Sequence, residues 1–230
     1  MRNIFLTGGS GLLGSELSKL SDDYGVIFDN PTSQECNILD YASVTRQIET
    51  TAGQTVLHCA AFTDVLAAEK NAQKARDLNI VGTLNVLTAC QQHNKRMVFV
   101  STDYVFDGHN GGYDESSPLN PVNNYALTKG AAELAVRTYE NSLVIRTSFC
   151  PREFPHEKAF VDQYTSRDFV DIIAPKILDA TKSKTLGIMH IGTERKSVYE
   201  LARRRNPKVG KISTKEVALS LPRDTSFKLN

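Results

Sequence analysis

The stretch "NIFLTGGSGLLG" (3–14) constrains the fold more than any other part of the chain. An apolar, β-favouring run ends in a glycine cluster, and the cluster opens directly into a helix-period segment. Gly8, Gly11 and Gly14 have the spacing GxxGxxG. The first permits a tight turn, the second lets backbone approach a pyrophosphate, and the third lets the helix pack close to the strand. A diphosphate would then sit at the helix N-terminus, with Ser10, Leu12 and Leu13 sharing the turn. A tight turn without any ligand would have the same glycines, but the position at the first strand–helix junction favours the dinucleotide.

The same alternation continues along the chain. Strands are expected at 3–7, 25–29, 55–61, 96–101, 142–148 and 186–192, and helices at about 11–20, 41–51, 68–93, 124–140, 166–182 and 197–205. The strand candidates are continuous apolar runs, as in strands buried on both faces. The expected fold is therefore α/β, a Rossmann-type doubly wound parallel sheet. Residues 1–148 would form the dinucleotide-binding domain and 149–230 a small, reduced C-terminal region, whose helix–strand–helix stretch at 164–203 partly rejoins the core. The tail 206–230 is polar and weakly periodic, and reads as loop with short elements.

Composition excludes several classes. A formal net charge of +1 over 230 residues gives no long-range attraction to nucleic acid or an anionic membrane. The basic run at 203–205 reads as a solvated last helical turn. Cys36, Cys59, Cys90 and Cys150 are scattered without metal-ligand spacing, and the histidines show no pairing, so no metal site is expected. No apolar stretch has membrane-span length, and the N-terminus enters a strand at once; a reduced cytoplasmic compartment is the expectation.

Two further motifs bear on chemistry. Tyr125 and Lys129 lie four residues apart on an expected helix, hence on one face. An ammonium one turn from a phenol favours the phenolate and would bring a poor proton shuttle toward working pH. The run "RMVFV" ends in "STDYVFDG" (101–108), delivering Ser101 and Thr102 at a strand's carboxyl edge, where ligands bind in open α/β sheets. Asp29 ends the second strand, where its carboxylate either accepts from the adenosine ribose hydroxyls or simply turns the chain before Asn30-Pro31. No Arg or Lys occurs from Tyr24 to Thr45, which leans the cofactor toward NAD over NADP unless Arg2 or Arg46 folds in.

These motifs resemble the short-chain dehydrogenase/reductase superfamily in its extended form. More closely, "STDYVFDG", "AAFTDVLAAE" (60–69), "LNIVGTLNVL" (78–87), "PLNPVNNYALTK" (118–129) and "VIRTS" (144–148) resemble the dTDP-4-dehydrorhamnose reductase family, in order over about 1–150 and more loosely over 164–203. The resemblance implies NADPH or NADH as cofactor and a nucleotide-sugar as substrate, and it admits a homodimer. It implies that Thr102 polarises a sugar ketone, that Tyr125 protonates the ketone oxygen, and that Lys129 tunes the tyrosine and holds the ribose. Asn79 matches the position whose backbone organises a proton-relay water. Ala60 and Ala61 match positions lining the dinucleotide, and Thr63, Tyr104 and Phe149 positions near the substrate.

The chain departs from the family pattern after "RTS". Only 149–163 separates Ser148 from the resumed match, Phe149 stands where a tryptophan is usual, and Ala126 follows the tyrosine in place of glycine. Arg152 and Lys158 are candidates for contacting a substrate diphosphate. Asp103 and Asp107 read as carboxylates that order the loop through backbone amides, His58 as a core histidine, and Arg146 as either a phosphate ligand or half of a structural ion pair. Two alternatives stay open: a sugar-nucleotide epimerase or dehydratase of the same superfamily, and a non-catalytic subunit resembling the regulatory subunit of methionine adenosyltransferase.

Overall fold

The computed structural model describes residues 1–229. Its central sheet has six parallel strands: β1 (Arg2–Thr7), β2 (Val26–Asp29), β3 (Thr55–His58), β4 (Arg96–Thr102), β5 (Ser142–Thr147) and β6 (Gly187–Ile191). Their order across the sheet is β6-β5-β4-β3-β1-β2, so the order reverses between β1 and β3. The reversal opens a crevice at the carboxyl ends of the strands, which is where a doubly wound sheet binds its ligand.

Alternation along the strands builds a core on each face. Ile4 and Leu6 of β1, with Val98 and Val100 of β4, face α1 (Leu12–Lys19) and a late helix at Val170–Lys182. Phe5, Met97, Phe99 and Val144 face the other way, against α2 (Tyr41–Thr50), α3 (Gly82–Gln92) and α4 (Asn124–Val136). The late helix is α5; α6 (Val198–Arg203) follows β6 and starts in a capping box formed by Ser197 and Glu200.

Several boundaries differ from the sequence expectation. The third strand stops at His58, and Cys59–Ala61 leave the sheet as loop. The single helix expected over 68–93 is broken into Val65–Lys70, Ala72–Arg76, a π-helical turn Asp77–Val81, and α3. Asn71 caps the second piece through the Lys74 amide, which interrupts a pattern that hydropathy alone reads as continuous. The helix expected from 166 begins at Val170, because Asp168–Phe169 pair instead with Phe149–Cys150.

Residues 149–169 and 192–229 form a cap over the carboxyl edge, held by short pairings of Lys158–Phe160 with Gly210–Ile212 and of Tyr164–Thr165 with Lys196–Ser197. The tail is more ordered than its composition suggests. Residues 222–228 run as a strap between the 108–113 loop and Tyr164: the Asp224 amide donates to the Gly108 carbonyl (2.9 Å), the Tyr164 amide to Arg223 (2.7 Å), and the Lys228 amide to Tyr113 (2.8 Å). Phe227 stacks on His190 and meets Phe106 edge-on. With Thr225 and Ser226 each 1% exposed, the strap is part of the interior.

Below the carboxyl edge of β4 and β5, Arg146 donates to Glu133 at 2.7 and 3.0 Å, and both side chains are buried. Ser101 donates to the second Glu133 oxygen (2.8 Å). Arg146 is therefore half of a structural ion pair. Removing one partner leaves a buried charge uncompensated, so Glu133→Leu is expected to lose about 3–5 kcal/mol in urea unfolding. The double variant with Arg146→Met should lose less than the single one. A single variant as stable as wild type would contradict this assignment.

Candidate active site

The glycine turn supplies the floor of a cleft of about 630 Å³ at the strand-order reversal. Gly8 has φ +76°, and a Cβ there would lie 2.6 Å from the Ala60 amide nitrogen; at Gly14 it would lie 2.4 Å from the Gly8 carbonyl oxygen. Neither position tolerates a side chain. Gly11 precedes α1 in an extended conformation with no side-chain cap, so the first helical amides are left for a ligand. Ser10, Leu12, Leu13, Ala60 and Ala61 line the same cleft. This cradle suits the diphosphate of a dinucleotide.

Thr102, Tyr125 and Lys129 converge at the other end of the cleft. Thr102 terminates β4, and its Oγ1 accepts from the Tyr104 amide (3.2 Å) and donates to the Asp103 carboxylate (3.3 Å). Ser101, the other candidate hydroxyl, is directed to Glu133 and away from this role. Tyr125 is held at the start of α4, whose N-cap Asn123 accepts from the Ala126 amide (2.9 Å). Thr63, Tyr104 and Phe149 line the cleft beside them, with Tyr104 edge-on to Tyr125 at 6.3 Å between ring centroids.

The electrostatics differ from the sequence expectation. Burial pushes the Tyr125 phenol up to about 12, with the Thr102 hydroxyl and the Arg167 guanidinium acting in the opposite direction. Lys129 does not bring it down. Its Nζ donates to the Val100 carbonyl (2.8 Å) and lies 4.0 Å from the centroid of the Phe99 ring, and burial lowers its own pKa to about 7. A lysine that is itself readily neutral exerts little field on its neighbour.

Two expected site residues lie outside the cleft. Asp29 is exposed at the end of β2, and the adenosine end is lined instead by Pro31, Ser33, Cys36, Asn37 and Ile38. The next residue, Asn30, lays its amide against Gly9, where a Cβ would fall 1.7 Å from the Asn30 Oδ1. Asn79 is buried in the π-helical turn. Its Oδ1 accepts from the Phe62 amide (2.7 Å), and its Nδ2 donates to the Phe62 carbonyl (3.1 Å) and to Thr128 (3.0 Å). Its side chain clamps the loop after β3 to α4, one residue before Lys129.

His58 bonds Thr7 and Thr83 and is pushed down to about 3 by burial, a neutral core histidine. Asp103 is buried, and its carboxylate accepts from the hydroxyls of Thr165 (3.0 Å), Thr225 (2.6 Å) and Thr102 (3.3 Å), not from the amides expected. Burial raises its pKa. Asp107 accepts from the Tyr113 hydroxyl, the His109 amide and Asn120. Arg152 is committed to Glu16 on α1, which withdraws it from any substrate role.

A second cavity of about 500 Å³ opens under the cap and shares Val65, Tyr104 and Arg167 with the cleft. Phe154, Phe160, Val198, Leu219 and Leu221 give it apolar walls, and Lys158 lies on its rim. Arg167, which lines both cavities, and Gln163, which lines the second, are positions that sequence reasoning does not single out. Gln163 sits in an irregular stretch with no motif to single it out, and Arg167 falls inside a segment read as helix. Among the described residues no cluster of His, Cys, Asp or Glu could hold a metal, and no helix is long and apolar enough to cross a membrane.

Lys129 gives a pH signature. The folded state holds it near 7 and the unfolded chain near 10.5. Between those values the unfolded state binds more protons, so this group makes stability rise with pH across that window. Lys129→Met should therefore raise the melting temperature most at and below pH 7, with the gain fading toward pH 10.5. A gain independent of pH in thermal melts would contradict the buried-lysine assignment.

The RmlD substrate binding domain model matches residues 1–191. The dTDP-4-dehydrorhamnose reductase of Mycobacterium tuberculosis is 36% identical over 152 residues, covering 64% of this chain and 49% of that protein. The enzyme of the same name from Aggregatibacter actinomycetemcomitans is 30% identical over 191 residues, covering 80% of this chain and 64% of that protein. The chain thus spans about half to two-thirds of the length of these relatives. The crystal structure of Bacillus anthracis dTDP-4-dehydrorhamnose reductase in complex with NADP superposes with a TM-score of 0.91 at 25% identity, covering 100% of this chain and 92% of that one. With a family model matched across the whole central sheet, the chain belongs to the RmlD substrate-binding-domain family.

Proposed function

We propose that the chain reduces the ketone of a nucleotide-linked 4-keto-6-deoxy sugar with a reduced nicotinamide cofactor. The observation that carries this reading is the convergence of Thr102, Tyr125 and Lys129 on one cleft with the glycine cradle. Gly8, Gly11 and Gly14 would hold the diphosphate against the amides of α1, and Ala60 and Ala61, which line the same cleft, would flank the dinucleotide. When bound, the reduced nicotinamide supplies the hydride.

Thr102 Oγ1 and the Tyr125 hydroxyl line the same cleft, and both can donate to one ketone oxygen once Thr102 turns its proton away from Asp103. Tyr125 gives its proton to that oxygen as charge develops there. Lys129, which in the free protein donates to the Val100 carbonyl, would hold the cofactor ribose and bring a cation toward the phenol. Phe149, Thr63 and Tyr104 shape the sugar site. The apolar second cavity takes the nucleoside.

The adenosine end of the cleft favours NADH. Of the residues lining the cleft, the only lysine and arginine are Lys129 and Arg167, both at the catalytic end. Arg2 bonds the Lys182 carbonyl at the opposite edge of the sheet, and Arg46 is exposed on α2 and lines no part of the cleft. Asp29 and Glu35 are the nearest charges on that loop, and both would repel a 2′-phosphate. The Bacillus anthracis relative was solved with NADP; in this chain kcat/KM for NADH should exceed that for NADPH at least about tenfold, measured by cofactor oxidation with a dTDP-linked 4-keto-6-deoxy sugar. The reverse order would refute the cofactor assignment.

Tyr125→Phe should keep the fold and cofactor affinity while losing about 10²–10⁴-fold in kcat. Unchanged turnover would remove Tyr125 as proton donor. Absence of net cofactor oxidation by the wild-type protein with every nucleotide keto-sugar tried would defeat the reductase reading and favour an epimerase, which returns its hydride, or a scaffold.

A further inference from the structure

We infer that Arg167 is a specificity residue that grips the diphosphate of the nucleotide-sugar at the neck between the catalytic cleft and the second cavity. The inference rests on the reading of the substrate as a nucleotide-linked sugar and adds to it the group that selects the nucleotide's phosphate chain.

Position is the first ground. Arg167 lines both the cleft that contains Tyr125 and the apolar cavity under the cap, and it shares that place with Tyr104 and Val65 alone. Its guanidinium stands 6.0 Å from the centroid of the Tyr104 ring, and Tyr104 in turn meets Tyr125 edge-on. A sugar whose ketone bonds Tyr125 and a nucleoside lodged among Phe154, Phe160 and Leu219 must be joined across this neck. In a nucleotide-sugar that joint is the diphosphate.

Unspent hydrogen-bonding capacity is the second. Of the arginines that are not solvent-exposed, Arg96 directs its guanidinium at the backbone carbonyls of Ala180, Thr181 and Thr185, and Arg146 pairs with Glu133. Arg167 has neither kind of partner. Its Nε donates to the Ser148 hydroxyl (2.8 Å), but among the described residues no carboxylate lies within ion-pair distance of it. The nearest carboxylate, Asp103, is saturated by threonine hydroxyls. A planar fork with free N–H groups suits phosphate oxygens two at a time.

The setting is the third. Ser148 fixes the stem end of the guanidinium, and Gln163 fixes the Tyr104 hydroxyl (3.1 Å), so the fork is pre-aimed. Lys158 also lines the second cavity and balances its one carboxylate, Asp64, so Arg167 at the neck is the unbalanced charge along the path.

The test is calorimetric titration of the protein, with NADH present, using dTDP, dTMP and thymidine. Wild type should bind dTDP about 10- to 100-fold more tightly than thymidine, the range expected for hydrogen bonds to a charged group. Arg167→Met should bring dTDP to within about threefold of thymidine while leaving thymidine affinity unchanged. Arg167→Lys, which keeps the charge without the fork, should lose about tenfold on dTDP alone, and it decides the matter if the Met variant does not fold. Wild-type affinity for dTDP in either folded variant would overturn the role of Arg167 while leaving the nucleotide-sugar reading in place. Failure of the wild-type protein to bind any of the three compounds would overturn that reading, and this inference with it.

Discussion

The carboxylate of Asp103 is where separate parts of the chain are made to agree. It sits directly after Thr102 at the end of β4, and it is reached by Thr102 itself, by Thr165 from the cap and by Thr225 from the strap. A buried carboxylate is expensive unless its oxygens are satisfied, and here hydroxyls from distant segments satisfy them. Satisfaction of that one group sets the height of the 102–106 loop against the cap. The place of Tyr104 between the two cavities depends on it, and so does the angle at which Thr102 faces Tyr125.

A second theme is that the site is built from polar groups held out of water before any ligand arrives. Lys129 is buried with only a carbonyl and an aromatic face for company, and Tyr125 is pushed away from ionisation. Both conditions are unfavourable in the free protein, and bound ribose and ketone would relieve both. Electrostatic preorganisation of this kind places the unfavourable energy in folding and releases it in the complex.

Much of this was legible in the sequence, for identifiable reasons. The strands announced themselves because each is apolar on both faces, and the Gly8–Gly14 turn and the Tyr125–Lys129 pair because their spacing is local. What escaped depends on contacts between distant residues. Nothing in "RDTSFK" signals that Thr225 will reach a carboxylate 122 residues earlier. Arg167 has no periodic partner, and its meaning appears only when two cavities meet around it. The state of Lys129 is not legible, because a four-residue spacing fixes the face of a helix but not what the ammonium bonds. Asp29 was expected at the ribose from its place at a strand end, but the path of the following loop puts Pro31 and Ser33 there instead.

The interleaving of cap and core bears on how substrate gets in and out. The chain passes from core to cap after Ser148, returns to the core before α5, and leaves again after β6, while the strap is stitched by backbone hydrogen bonds to the 108–113 loop. A body tethered at so many points has no single pair of hinge residues about which to swing. Traffic through the neck must therefore rely on small, independent displacements of side chains and short loops. A pocket built this way would exchange ligands by breathing, with the cap seated throughout.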